Sequence, residues 1–160
     1  MCVRGEDTGG IALHQDGWTV DALTDRIEQL RADTRPQWGV MNATQVLAHC
    51  CVAYEMVFEN KHPRPNALMR FVLRLAVKQA VVGDAPYKHN TRTAPAFIIR
   101  DARDFETERQ RLVVYLRRVQ LLGAKHFERK ESLSFGPLTA LEWNVLFYKH
   151  LDHHLTQFGV

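Results

Sequence analysis

Tyr148-Lys149-His150-Leu151-Asp152-His153-His154-Leu155 packs three of the chain's eight histidines into five residues. A helix places His150 and His154 one turn apart on one face, where two imidazoles can serve one metal ion. At roughly 100° per residue, Trp143, Phe147, His154 and Phe158 fall within about 80° of His150 on one side, with Leu146 and Gln157 close on the other. Both histidines therefore share the apolar face. His153 falls on the border with a polar face assigned to Glu142, Lys149 and Thr156, which makes it the weaker ligand candidate. The same reading of Gln45-Val46-Leu47-Ala48-His49-Cys50-Cys51-Val52-Ala53 gathers Val46, Ala53, Met56 and Val57 around His49, so it too should point inward and is the best third ligand.

Three inward imidazoles need partners, because a buried polar group without a hydrogen bond costs about 1–3 kcal/mol. A divalent cation satisfies all three at once and keeps open positions for water or substrate. The alternative is a set of core histidines bonded to carbonyls or carboxylates. Spacing does not choose among zinc, nickel, iron and manganese, since imidazole suits each of them.

The 160 residues, 46% hydrophobic and 24% charged, describe one compact domain, and a net charge of +3 gives no case for nucleic acid. Arg64, Arg70, Arg74 and Lys78 cluster in one region and Arg109, Arg111, Arg117 and Arg118 in another, and both read as solvated helix faces. Cys2, Cys50 and Cys51 form no spaced framework, which predicts a reduced, cytoplasmic protein. Cys50 reads as a small buried hydrophobe that, beside His49, can approach a metal. Residues 1–17 hold Gly5, Gly9, Gly10 and Gly17 and read as a flexible leader, leaving 18–160 as the domain. No stretch is long and apolar enough to span a bilayer, so no membrane partner is expected.

Helices account for most of the chain. Thr19 opens the first, to about Arg31, and Asn42 with Gln45 makes a capping box for the second, to about Asn60. A shorter basic amphipathic helix over Asn66–Leu75 is expected to pack across the bundle rather than on a membrane surface. Asp84 to Ala102, with Pro86 and Pro95, reads as an extended crossover. Asp104 starts a helix closed by Gly123, residues 125–137 read as a loop, and Thr139 with Glu142 caps a last helix that stops at Gly159. The predicted class is all-α: a four-helix bundle with a long crossover and a short extra helix.

Trp38-Gly39-Val40-Met41-Asn42-Ala43-Thr44-Gln45, Ala48-His49-Cys50, Phe135-Gly136-Pro137-Leu138-Thr139 and the final Tyr148–Gly159 run resemble an uncharacterised bacterial branch of the DinB-like superfamily, over nearly everything from Trp18 onward. The resemblance implies a four-helix bundle in which His49, His150 and His154 bind a divalent metal. It also implies kinship with thiol-dependent transferases and isomerases, and a homodimer formed through helix faces. Where that branch carries His-Pro before Phe-Gly, this chain has Leu133-Ser134, a difference expected at the lip of the pocket.

A three-histidine ion lowers the pKa of bound water and can activate a thiolate. His153 and Gln157 are the candidate catalytic or orienting groups, Gln157 being preferred; Asp152 falls on the opposite side of the helix and reads as surface. No hydrolase triad, phosphate-cradling glycine loop or paired Glu-x-x-His motif occurs. Two classes remain: a metal-dependent thiol transferase or hydrolase of an unidentified small molecule, and a non-catalytic bundle with a structural metal, or none.

Overall fold

The computed structural model describes residues 19–91 and 93–160; the expected leader, with Cys2 and Trp18, lies outside them. The described chain is mostly helical: α1 (Val20–Gln29), α2 (Ala43–Phe58), α3 (Ala67–Ala76), α4 (Lys78–Val82), α5 (Phe105–Phe127) and α6 (Ala140–Gln157), with a hairpin of β1 (Lys130–Ser132) and β2 (Gly136–Leu138). Helix starts follow the capping residues. The Asn42/Gln45 and Thr139/Glu142 boxes are both reciprocal, and Thr19, Asn66 and Asp104 each accept an N–H three residues on.

The long helices α2 and α5 pack on each other, α1 lies against α5, and α6 contacts α1, α2, α4 and α5. Their shared core holds Leu23, Ile27, Leu47, Cys51, Leu112, Leu116 and Leu151, with Tyr54 stacked between Tyr115 and Phe147. Cys50 and Cys51 are buried free thiols, as small hydrophobes should be. Between α2 and α5 the nearly buried Glu55 and Glu108 are bridged by Arg111, with His62 on Glu55 (2.8 Å) and Arg103 on Glu108 (3.1 Å).

Gly123 ends the long run of α5 as expected, with φ 73° and ψ 169°, and one further turn to Phe127 follows across the break. Three sequence readings change. The expected 125–137 loop contains the antiparallel hairpin, registered Lys130 opposite Leu138. Trp143 Nε1 donates to the Lys130 carbonyl (3.2 Å), which fixes this hairpin near the start of α6. Leu133-Ser134 lies in the turn between its two strands. Second, Lys149 is not on a polar face. It is 8% exposed, and its ammonium donates to the carbonyls of Ala80 (2.8 Å), Gly83 (2.5 Å) and Ala85 (3.0 Å). Those three carbonyls end α4 and begin the crossover, so a cation on α6 satisfies backbone acceptors that would otherwise be orphaned. Finally, no residue of α3 is buried, although Leu73 leans on the core.

Candidate metal centre

His49 sits in the middle of α2, and His150 and His154 lie one turn apart in the last two turns of α6. One ring nitrogen from each of these three residues lies within 4.8 Å of the other two. His49 and His154 are buried, at 3% and 8% exposure, and His150 is partly exposed. His49 Nε2 and His150 Nε2 are 2.9 Å apart. Ligand nitrogens at about 2.0–2.1 Å from a tetrahedral zinc would stand about 3.3 Å apart, so small ring rotations bring the set onto one ion.

Neighbouring acceptors fix which nitrogen of two rings is bare. The Phe97 carbonyl accepts from His49 Nδ1 (2.9 Å), so that nitrogen carries the proton and Nε2 offers its lone pair. For His154 the logic runs through Gln157, 3% exposed. The Trp38 carbonyl can only accept, so it takes the Gln157 amide N–H (2.6 Å). That orientation turns Gln157 Oε1 toward His154 Nδ1 (2.8 Å), which must then be protonated, and leaves Nε2 bare. Gly39 permits this approach. Its φ is +81°, and a Cβ there would stand 2.4 Å from Gln157 Nε2. Gln37 completes the strap, its N–H donating to the Gln157 carbonyl (2.7 Å).

The electrostatics keep the cluster neutral. Burial pushes the His49 imidazole below its usual pKa, against an opposing contribution from the Phe97 carbonyl. Burial, joined by the neighbouring imidazoles, holds His150 well below its usual pKa and His154 down to about 3. Neutral imidazoles with bare nitrogens are the form that ligates a cation, so the donor set fits a divalent metal.

The crossover and the loop before α2 wall the site with rings. Phe97 packs edge-on to His150, with centroids 5.7 Å apart, and Tyr87 lies 6.5 Å from it. Trp38 stacks on His89 at 3.9 Å, and both border His153, at 6.0 and 5.9 Å. His153 is thus beside the cluster and outside it, half-buried, and burial with His89 lowers its pKa. Asp152 turns away as expected, yet it is not simply solvated: it accepts from Arg26 (2.7 Å), which also donates to the Val160 carbonyl (2.8 Å) and ties α1 to the end of α6. No cysteine joins the triad among the described residues. Sequence reasoning missed Phe97, Tyr87, His89 and Trp38 as site walls. Their only signal was aromatic residues clustered in otherwise polar loops.

Among protein-family models, one described as a protein of unknown function, DUF1569, matches residues 16–159. No curated protein and no solved structure matches the chain.

Proposed function

Since the chain belongs to the DUF1569 family, we propose that it is a metal-binding four-helix bundle of the DinB-like kind, in which His49, His150 and His154 hold one divalent cation and act on a small molecule. The observation that carries this is the convergence of three ring nitrogens within 4.8 Å, two of them aimed by their own hydrogen bonds. Such an ion supplies Lewis acidity, lowering the pKa of a bound water or thiol toward neutrality. Zinc, nickel, iron and manganese all suit imidazole donors.

The chain's own residues do the rest. Phe97 and Gln157 orient the ligating rings, while Trp38, Tyr87 and Phe97 exclude water from one side. His153 lies with its ring 5.0 Å from that of His154, and burial and His89 lower its pKa, which favours the neutral form a general base requires. This supports thiol transfer or hydrolysis as the reaction class. A second reading has one observation in its favour: the 2.9 Å contact between the His49 and His150 Nε2 atoms lets the imidazoles satisfy each other. In that reading the triad is a structural cluster in a non-catalytic bundle.

Elemental analysis of untagged protein, before and after mild chelation and reconstitution, separates them. About one divalent ion per chain, lost in folded His150→Ala/His154→Ala and kept in His153→Ala, is the result expected of a three-ligand site. Metal-free protein after reconstitution selects the structural cluster.

A further inference from the structure

Helix α3 carries its apolar side outward. Leu73 and, just beyond the helix, Val77 rest against the core. Leu68, Phe71, Val72 and Leu75 face solvent, exposed by 74, 60, 48 and 68%. At about 100° per residue these four fall within an arc roughly 100° wide, a continuous apolar strip where scattered single residues would be ordinary.

The charge carried by this segment itself has one sign. From Lys61 to Gly83 the sequence holds Lys61, Arg64, Arg70, Arg74 and Lys78 and no aspartate or glutamate. Lys61 pairs with Glu59 (2.5 Å), Arg64 and Arg70 share the single carboxylate of Glu131 (2.5 Å each), and Lys78 pairs with Glu142 (2.7 Å). Arg74 is exposed and pairs with no carboxylate among the described residues. The surplus beside the apolar strip is positive. A second copy docked face to face would bring that surplus against itself, with no acid in the segment to answer it. A plane of lipid phosphates answers it directly.

We propose that α3 seats the protein on an anionic phospholipid surface, with Leu68, Phe71, Val72 and Leu75 at the headgroup boundary and Arg64 and Arg74 at the level of the phosphates. Attachment is peripheral, since no helix among the described residues is long and apolar enough to cross a membrane. It is independent of the metal reading, because α3 contributes nothing to the histidine cluster.

The test is co-sedimentation of the full chain with vesicles of phosphatidylcholine alone or with about one part in four phosphatidylglycerol. Binding to the anionic vesicles should exceed binding to the neutral ones at least tenfold and fall as salt is raised, on the order of the loss expected for screened charges. Phe71→Glu, which removes apolar contact, and Arg74→Glu, which reverses one charge, should each weaken it by about tenfold or more. Both side chains are exposed, so both variants should keep the parent circular dichroism, and either one alone suffices if the other misfolds. No sedimentation with either vesicle overturns the proposal, as does binding that neither variant changes. So does a dimer in solution that Phe71→Glu dissociates without any vesicle binding, which would assign the strip to a second copy.

Discussion

Gln157→Leu is the perturbation whose effect can be worked furthest from the geometry. The glutamine is 3% exposed and makes two side-chain hydrogen bonds, to His154 Nδ1 at 2.8 Å and to the Trp38 carbonyl at 2.6 Å. Leucine is close in size, so the change removes the polar atoms without opening a large cavity. It strands one donor and one acceptor, each costing about 1–3 kcal/mol, so the fold should lose roughly 2–6 kcal/mol. With Nδ1 of His154 no longer held in its protonated form, the ring can change tautomer or rotate. Loss of such an orienting partner typically weakens metal affinity about 10- to 100-fold, or about 1.4–2.7 kcal/mol. Gln157→Glu separates the two effects: a carboxylate still accepts from His154 but cannot donate to Trp38. It should keep metal affinity within about tenfold while losing the loop anchor. Competition between the protein and a chromophoric chelator for zinc reads the first quantity, and urea denaturation with chelator present reads the second. A leucine variant that binds zinc within about twofold of the parent would show that the glutamine does not aim His154, and the tautomer argument would fail with it.

Other expectations bear on neighbouring features. Gly39→Ala forces a side chain into left-handed backbone and 2.4 Å from Gln157 Nε2; it should cost about 1–3 kcal/mol and lower Tm by several degrees in calorimetry, whereas an unchanged Tm would mean the strap is dispensable. Lys149→Met leaves three carbonyls without their donor and should cost about 2–4 kcal/mol, with faster proteolysis between 84 and 102; equal cleavage rates would refute the clamp. Acid should destabilise the metal-free protein. His154 titrates at about 3 when folded and near 6.5 when unfolded, so between those values the unfolded chain binds the extra proton. Stability is therefore full above about pH 6.5 and falls as pH drops, by about 1.4 kcal/mol per unit from this group, or about 2 kcal/mol at pH 5. Urea midpoints that stay level from pH 7 to pH 5 would contradict it.

The histidine cluster was legible because helical phase alone places His150 and His154 on one side, and because His49 stands among aliphatic residues that leave it nowhere to point but inward. Helix starts were legible because a cap is a local exchange of hydrogen bonds written in adjacent residues, as at Asn42/Gln45 and Thr139/Glu142. What depended on distant chain was not. Lys149 obeys the polar phase of its helix only until the end of α4 and the start of the crossover bring three carbonyls to it, and nothing near Lys149 announces them. The hairpin in 130–138 was hidden because its strands are three residues each, too short for an alternating pattern, and are held by Trp143 rather than by their own composition. The aromatic wall rests on loops whose paths are set by where the helices leave them. That the helices form a four-helix bundle of the DinB-like kind is proposed from the resemblance and from the site it implies.

The Lys149 clamp and the Phe97–His49 bond sit at opposite ends of one long connection, the first holding Ala85 and the second Phe97. Each pin needs its own helix in place, α6 for the ammonium that donates to Ala85 and α2 for the imidazole that donates to Phe97. The connection is therefore expected to take its native path after those two helices, and the rim of the histidine cluster after the core beneath it. Pulse-labelled hydrogen exchange during refolding should find the amides of α2 and α6 protected first, with a delay before residues 86–97 follow. The site would then be open to an entering ion while the helices are formed and the crossover has yet to close over them.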